Sequence, residues 1–257
     1  TTARPSFKEN SSAQIFDPIT ERYFIGNPDL KPTYINNLDL RFEHYGEGNQ
    51  FYAISAFYKN FEDPIEVVAL GLNSPNQLIG RNNSKATVAG IEIEYRKNLI
   101  DNDDSKLAIN VNTSLIFSQQ EMTDAEYSGR VATEPNRVID RTRTLQGQSP
   151  FLINAGLTYA IVSKSLETGL FYNVQGKTLE VVGVGNIPDV YTDPFNNLNL
   201  TCTKKFGANQ NQTITFKTQN ILADTRESFY DYYGEEQRPF SLFKVGRSIS
   251  LGYSIKF

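Results

Sequence analysis

The residue types most often found in catalytic and metal sites are scarce in this sequence. It has one histidine, His44, and one cysteine, Cys202, which lie far apart in the chain. A zinc site or a nucleophilic cysteine activated by histidine needs several such side chains converging on one point. No motif of a serine hydrolase, a zinc protease or a phosphate-binding loop occurs either. We therefore expect no catalytic residue, no metal site and no cofactor, and we expect that the protein is not an enzyme.

Acidic residues cluster in the stretch DNDD, from Asp101 to Asp104. Clustered carboxylates can bind calcium, but an EF-hand spaces its ligands over a loop of about twelve residues. That spacing is absent here, and the stretch separates two strand-like segments. We interpret it as a solvated turn.

Charged side chains alternate with apolar ones in two other stretches. They are Asp39, Arg41 and Glu43 in the first stretch and Glu92, Glu94 and Arg96 in the second. In a β-strand such residues share one face, because successive side chains point to opposite sides. If the strands cross a membrane, a charge near the middle of the lipid-facing side is unfavourable by a few kcal/mol. We therefore predict that these six residues face the lumen of a barrel.

The composition limits the class of protein. The chain has 257 residues with 29 acidic and 25 basic side chains, so nothing suggests a nucleic-acid partner. No run of about 18 apolar residues occurs, which excludes a transmembrane helix. The 14 tyrosines and 17 phenylalanines suit the aromatic girdle of a membrane barrel as well as a soluble β-sandwich.

Strict alternation of apolar and polar residues recurs along the chain. In the last stretch, RSISLGYSIKF, every second residue from Ile249 to Phe257 is large and apolar, and serine, glycine or lysine stands between them. The same period of two marks five further stretches. They are NNLDLRFEHY, TVAGIEIEYR, LAINVNTSLIF, FLINAGLTYAI and NNLNLTCTKKF. These patterns predict β-strands, several of them long enough to cross a bilayer at a tilt.

The lengths of the connections predict how the strands are arranged. Short gaps alternate with long segments, which are residues 9–32, 62–85, 119–149, 178–194 and 222–243. An up-and-down barrel has this pattern, with tight turns on its periplasmic side and long loops outside the cell. We therefore predict an all-β fold, an antiparallel transmembrane β-barrel of which this chain supplies about ten strands, the first being a stub at residues 1–9. A soluble β-rich binding domain is the alternative.

Five stretches, taken in order, resemble the C-terminal half of TonB-dependent outer-membrane receptors. They are ARPSFKE (3–9), GNPDLKP (26–32), FYKNFEDPIE (57–66), LQGQSPFLINAGLTY (145–159) and GRSISLGYSIKF (246–257). GNPDLKP ends directly before the strand pattern that starts at Thr33, where its two prolines provide a rigid lead-in. The pattern resembles Bacteroidota receptors that carry a carboxypeptidase-regulatory-like domain, and it resembles SusC-like glycan importers less.

The resemblance implies a barrel of about 22 strands, closed by an N-terminal plug and energised by the TonB complex through that plug. Residues 1–257 would be the C-terminal portion of such a barrel, with the plug domain and the N-terminal strands absent. An open sheet has unpaired edges and an apolar face. Its partners would be the remaining N-terminal barrel strands, the plug and the lipid bilayer, in the cell outer membrane.

The resemblance also implies roles for particular residues. The closing Tyr253, Ile255 and Phe257 resemble the signal that the barrel-assembly machinery reads, although an ordinary last strand can end in the same way. The six alternating charged residues would pack against the plug or line a ligand path.

Two long segments are candidates for ligand contact. Segment 119–149 carries Arg130, Arg137, Arg141 and Arg143 among Glu121, Asp124, Glu126 and Glu134, and the stretch 180–194 carries Tyr191 and several apolar residues. Loops on a rigid scaffold often perform recognition, but solvated loops are an equally good interpretation. No single binding residue is predicted.

Two hypotheses about function follow. The first is TonB-dependent active uptake of a scarce ligand, such as a siderophore, a cofactor, a glycan or a peptide, through a plugged barrel. The alternative is a structural or interaction barrel that serves as a platform for surface lipoproteins or a larger outer-membrane complex. Loops and plug set specificity together, so the sequence leaves the ligand open.

Overall fold

The computed structural model describes residues 1–18, 20–71, 76–134, 136–232 and 234–257. Four of the long segments predicted above include positions outside the described residues, namely 19, 72–75, 135 and 233. The strands are β1 (Thr2–Ala3), β2 (Gln14–Asp17), β3 (Arg22–Ile25), β4 (Thr33–Tyr45), β5 (Phe51–Glu62), β6 (Ile65–Ala69), β7 (Gln77–Asn82), β8 (Lys85–Asp101), β9 (Ser105–Glu121), β10 (Thr142–Arg143), β11 (Phe151–Ile161), β12 (Leu166–Gln175), β13 (Thr178–Val181), β14 (Val190–Thr192), β15 (Phe195–Phe206), β16 (Gln212–Gln219), β17 (Arg226–Tyr230), β18 (Arg238–Phe243) and β19 (Ser248–Ile255). One α-helix, α1, covers Asp124–Thr133, and two short 3₁₀ helices cover Val162–Lys164 and Ala208–Gln210.

Ten strands run side by side in one large antiparallel sheet. Their order is β1-β4-β5-β8-β9-β11-β12-β15-β16-β19, and β10 pairs with β9 beside this path. This is the up-and-down arrangement that the sequence predicts, with the predicted number of strands. The connections alternate as predicted: those after β4, β8, β11 and β15 are short, and those after β1, β5, β9, β12 and β16 are long.

The two faces of the large sheet differ in polarity, as a period of two requires. Leu38, Leu40 and Leu251 lie on the apolar face, where they are 72%, 75% and 75% exposed. A large exposed apolar surface of this kind suits contact with lipid. The alternating charged residues of β4 and β8 lie on the opposite, polar face.

The first strand is shorter than the predicted stub at residues 1–9, because β1 ends at Ala3. Pro5 has no N–H group to donate to a neighbouring strand. The main-chain N–H of Ser6 then donates to the Glu9 carboxylate at 2.7 Å, and the N–H of Glu9 donates to the Ser6 hydroxyl at 3.3 Å. This local turn takes the chain out of the large sheet.

The long segments fold into a second layer, which we call the cap. It consists of α1 and two four-stranded sheets, one with the order β2-β3-β7-β6 and the other with the order β13-β14-β17-β18. The edge strands β6 and β13 are joined by an isolated bridge between Val68 and Val182. The two sheets of the cap therefore meet at this bridge, which Val182 makes directly after β13, on the long-loop side of the large sheet.

A cluster of buried hydrophobic residues lies in the cap, at the joint between its two sheets. Val68, Leu179 and Val182 pack together there and are at most 4% exposed. Gln146 fastens the same joint, because its side-chain amide bonds to the main chain of β6 at 2.6 Å and of β13 at 2.7 Å. In these parts the long segments are folded structure, so the interpretation as solvated loops is wrong for them.

The stretch GNPDLKP anchors the start of β4 to the cap. Leu30 is buried, and the Asn27 side chain donates a hydrogen bond of 3.0 Å to a carbonyl of β7. A Cβ atom at Gly26 would lie 1.9 Å from the carbonyl oxygen of Ser11, so the close approach requires glycine. β4 then begins at Thr33, as the prolines predict.

The helix α1 was not predicted from the period-two patterns. The Thr123 hydroxyl caps it by accepting a hydrogen bond of 3.2 Å from the N–H of Glu126. Asp124 and Glu126 stand in its first turn, where the helix dipole favours negative charge. The sequence TDAE is thus a capping-box signal that a search for alternation passes over. Within the described part of the chain, no helix is long and apolar enough to cross a membrane.

Glycines on the polar face of the large sheet leave room for aromatic rings. A Cβ atom at Gly90 would lie 2.5 Å from the ring of Phe57 and 2.6 Å from the carbonyl oxygen of Leu115. At Gly252 on β19 the nearest atom to such a Cβ is 3.8 Å away. The two positions can serve as test and control, because neighbouring atoms occupy the space beside Gly90 and the space beside Gly252 is open.

We expect Gly90→Ala to lower the free energy of unfolding by about 1–3 kcal/mol, because the Phe57 ring and a main-chain carbonyl have to move. The control Gly252→Ala should change it by less than about 1 kcal/mol, since its Cβ has room. Urea unfolding of the protein in lipid vesicles measures both. Equal stability of the two variants would contradict the packing described here.

Candidate functional site

Six charged residues from three of the long segments meet in one buried network, which we call the ionic cluster. They are Glu66, Arg81, Glu126, Arg130, Arg143 and Asp189. β6, β7 and β10 supply one residue each, α1 supplies two, and the segment before β14 supplies one. On α1, the spacing of four residues places the acid and the base on one face.

Two carboxylates form the centre of the ionic cluster. Glu66 accepts from Arg81 at 2.9 Å and from Arg143 at 2.6 Å. Glu126 accepts from Arg81 at 2.8 Å, from Arg143 at 2.6 Å and from Arg130 at 3.0 Å. Both carboxylates are only 2% exposed as residues, so these bonds replace the water that they lost on burial.

Arg130 extends the ionic cluster to the second sheet of the cap. It binds both carboxylate oxygens of Asp189 in a two-pronged pair, at 2.9 and 2.8 Å. Asp189 also accepts from the main-chain N–H of Gly183 at 2.9 Å. A paired guanidinium and carboxylate of this geometry fix the relative position of the groups that carry them. Here they fix α1 against the turn before β14.

The electrostatics favour the charged forms of Glu126 and Arg143. Burial alone would raise the pKa of Glu126, but its hydrogen bond to Arg143 and the charges of Arg143, Arg130 and Arg81 outweigh burial and leave the pKa lowered. Burial alone would lower the pKa of Arg143, but its bonds to Glu126 and Glu66 leave that pKa raised. Glu126 and Arg143 are therefore charged at neutral pH.

A cavity of about 500 Å³ lies beside the ionic cluster. Its walls are α1, the segment that leads from α1 through β10, residues 183–189, and side chains between β17 and β18. Glu126, Arg130, Arg143 and Asp189 contribute to the lining. The volume is in the range of pockets that hold small molecules. The arrangement is suited to holding a ligand between several long segments.

Four of the six charged residues predicted to face the lumen meet in a second, exposed group on the polar face. Arg41 bonds to Glu43 at 2.5 Å, to Ser55 at 3.1 Å and to Glu94 at 3.1 Å, and Arg96 lies 3.5 Å from Glu94. In register, Glu43 and Glu94 both stand opposite Ala53 of β5.

The other two predicted residues share this face but stand outside the group. Asp39 lies opposite Phe57, and Glu92 lies opposite Ser55. The side chain of neither residue makes a hydrogen bond or an ion pair with another described residue. The alternation of the sequence therefore found the shared face, while the contacts depend on which residues the register brings together.

A row of asparagines continues the polar face across four strands. Asn112, Asn154, Asn173 and Asn197 stand directly opposite one another on β9, β11, β12 and β15. Asn154 donates to Asn112 at 2.7 Å, and Asn173 donates to Asn154. Glu94 stands opposite Asn112, so the row joins the charged group on β4 and β8.

The residues of the predicted assembly signal lie at the free edge of the large sheet. Tyr253 and Ile255 belong to β19 and are exposed, and Phe257 follows the end of that strand and is fully exposed. The Tyr253 hydroxyl donates to Gln212 on β16 at 2.9 Å. No contact in the described residues tests the assembly role.

The lone histidine and cysteine contact different partners. The His44 ring stacks on Tyr52 at 4.7 Å, and the Cys202 thiol accepts from the Thr168 hydroxyl at 3.6 Å. Among the described residues, no group of three or more histidine, cysteine, aspartate and glutamate side chains has the geometry to hold a metal ion.

Comparison with known proteins gives the family. Residues 1–221 match the family model described as TonB dependent receptor-like, beta-barrel. The chain belongs to this family of TonB-dependent receptors. None of the functionally curated proteins matches the sequence significantly.

Solved structures of TonB-dependent receptor type share the fold. The outer membrane transporter YddB from Escherichia coli has a TM-score of 0.58 at 15% identity, over 92% of this chain and 34% of its own. A mutant of the ferric enterobactin receptor PfeA from Pseudomonas aeruginosa has a TM-score of 0.57 at 15% identity, over 92% and 33%. The siderophore receptor PirA from the same organism has a TM-score of 0.55 at 15% identity, over 100% and 38%. The chain thus spans about a third of the length of these receptors.

Sequence reasoning found only part of the ionic cluster. It singled out Glu126, Arg130 and Arg143 as members of a charged loop, but it did not pair them. It missed Glu66, and likewise Arg81 and Asp189. These residues come from separate segments, so no local spacing predicts that they meet. The usable signal was the capping box, which marks the start of α1, together with the spacing of four residues that places Glu126 and Arg130 on one face of the helix.

We expect Glu126→Gln to destabilise the cap locally by about 3–5 kcal/mol, because a cluster of three carboxylates and three guanidinium groups is then left with an uncompensated buried positive charge. Hydrogen exchange of amides in α1, followed by mass spectrometry on the intact protein, measures the free energy of local opening. The control is Glu236→Gln, which removes an exposed carboxylate from the same layer. If α1 exchanges at the same rate in both variants, the ionic cluster does not stabilise the cap.

The lowered pKa of Glu126 also predicts how the cap responds to acid. A carboxylate with a lower pKa in the folded state contributes stability above its unfolded value of about 4.3, and this is lost as the pH falls through the folded value. Protection of α1, corrected for intrinsic exchange, should be constant from about pH 7 to pH 5 and should fall below about pH 4. The Glu126→Gln variant should lack this share of the acid response, and an equally steep fall in the variant would contradict the pKa direction.

Proposed function

We propose that this chain is the C-terminal part of an outer-membrane receptor that imports a scarce ligand by TonB-dependent transport. The observation that carries the proposal is the cap, in which the long segments fold together around a cavity of about 500 Å³. The cap lies on the long-loop side of a sheet in a chain that matches the receptor family. Ligand sites are usually largely preformed cavities, and a receptor that captures ligand at the cell surface would carry one on the long-loop side. The ligand classes are a siderophore, a cofactor, a glycan or a peptide.

The open edges of the large sheet support a longer receptor. β1 and β19 stand at the two ends of the strand order. Exposed strand edges pair readily with further strands, and none is tolerated in contact with lipid. In the proposal, the remaining N-terminal strands of a barrel of about 22 strands pair with both edges. The apolar face then lies against the bilayer of the outer membrane.

The polar face has a place in the same proposal. Arg41, Glu43, Glu94 and Arg96, with the asparagine row, would line the lumen, where an N-terminal plug packs or a ligand passes. The TonB complex would act through that plug, and Tyr253, Ile255 and Phe257 would guide insertion by the barrel-assembly machinery. The sequence motifs support a receptor of the Bacteroidota type, and no step of the proposal requires catalysis.

Growth of defined strains tests the proposal. A strain without the receptor gene and a strain without TonB are grown with single sources of ferric siderophore, cobalamin, glycan or peptide. Import predicts that both strains lose growth on the same source, and that the receptor gene restores it only in the strain that has TonB. Normal growth of the receptor deletion on every source would overturn the proposal. If the purified receptor then retained stoichiometric lipoproteins, a platform role would replace it.

A further inference from the structure

The cavity in the cap has a chemical character that narrows the class of ligand. Its charged lining consists of six carboxylates and three arginines among the described residues, an excess of three negative charges. What matters for a ligand is which of these charges are already neutralised by a partner in the protein. The arginines and the carboxylates differ in this respect.

All three lining arginines are bound to carboxylates of the protein. Arg130 and Arg143 belong to the ionic cluster, where they are held at 2.6 to 3.0 Å. Arg137 donates to Glu134 at 2.9 Å. A guanidinium whose donors are already engaged has little left to offer an anionic ligand. Arg130 and Arg143 are therefore poorly placed to bind an anion, and the charge of Arg137, whose side chain is 52% exposed, is balanced by Glu134.

Two of the lining carboxylates have no such partner. Asp140 and Asp231 are exposed at the cavity, and neither makes a hydrogen bond or an ion pair through its side chain with another described residue. By contrast, Glu235 of the same wall is paired with Arg238 at 3.2 Å. The unpaired negative charge is thus concentrated on two aspartates from different segments, which face one space.

The rest of the lining provides surface for an organic group. Tyr191 and Tyr232 contribute rings, and Val138 and Ile187 contribute aliphatic side chains. Each ring already has a cation near it, Lys177 at 4.6 Å from Tyr191 and Arg238 at 5.0 Å from Tyr232. Because these cations already lie near the rings, the rings offer a ligand apolar contact surface and not a further cation site.

Tyr191 adds no charge to this surface. Its burial, followed by the charge of Asp189, raises the pKa of its hydroxyl. The hydroxyl is therefore neutral at physiological pH, and the excess negative charge of the cavity comes from carboxylates alone.

We propose that the cavity binds an organic cation, a ligand with at least one ammonium or guanidinium group placed between Asp140 and Asp231 and an apolar part against the tyrosine rings. This rests on the proposed function, since it gives the chemistry of the ligand that the receptor captures. Attraction between exposed charges weakens as salt is added, so binding should be strongest at low ionic strength.

The test uses the full-length receptor in outer-membrane vesicles, with vesicles from the deletion strain as the blank. The probes are dansyl-labelled trilysine, triglutamate and triserine, and fluorescence anisotropy measures their binding at low and high salt. Trilysine should bind most tightly. The double variant Asp140→Asn with Asp231→Asn should bind it about tenfold more weakly, because two attractive charges are lost.

The matched control is Asp29→Asn, which removes an exposed aspartate of the cap away from the cavity. It should bind trilysine like the unaltered receptor, and equal surface exposure of all variants to an antibody verifies folding. The proposal is overturned if trilysine binds no more tightly than triglutamate, or if the double variant binds it as the Asp29→Asn control does. Charge-selective binding without TonB-dependent import would sink the proposed function and leave this inference standing. TonB-dependent import of a ligand whose binding is unchanged in the double aspartate variant would support the proposed function and overturn this inference.

Discussion

The packing of α1 against β6, β7, β10 and the turn before β14 depends on the joint burial of carboxylates and guanidinium groups. A single buried charge without a partner is strongly destabilising, whereas a complete set of paired groups is tolerated. Glu66 and Glu126 are almost inaccessible to water, so each needs its arginines in place. Because the six groups come from three segments, the complete set of pairs forms only when those segments pack together. The walls of the cavity are a consequence of that requirement.

The large sheet and the cap place their apolar side chains in opposite directions. In the large sheet, main-chain groups pair between neighbouring strands, and the apolar side chains point away from the protein, as membrane strands require. In the cap, the apolar residues Val68, Leu179 and Val182 point inward, as in a water-soluble domain. Along the chain, strands with outward apolar side chains therefore alternate with segments that bury their apolar side chains. The tight turns keep the strands in register, and the long segments build a second layer above one rim.

The sequence predicted the features that depend on neighbouring residues, and it did not predict those that depend on residues far apart in the chain. Alternation predicted the strands of the large sheet and their faces, since side-chain direction along a strand is a local property. It failed at β1, where Pro5 and a local turn end the strand early, and at α1, whose signal is a capping box rather than a period. The shared face of Asp39, Arg41, Glu43, Glu92, Glu94 and Arg96 was predictable. That Asp39 and Glu92 stand outside the group formed by the other four depends on the register between strands.

The sequence by itself determined the antiparallel up-and-down sheet, its apolar and polar faces and the side on which the long segments lie. These features depend on a period of two and on connection lengths, which the chain carries locally. Only the tertiary structure decided that the long segments become a cap, that Glu66 meets Arg143 and that Asp140 shares a cavity with Asp231. Such meetings join residues far apart in the chain, and they are selected by the burial of charge and apolar surface, which no local spacing encodes.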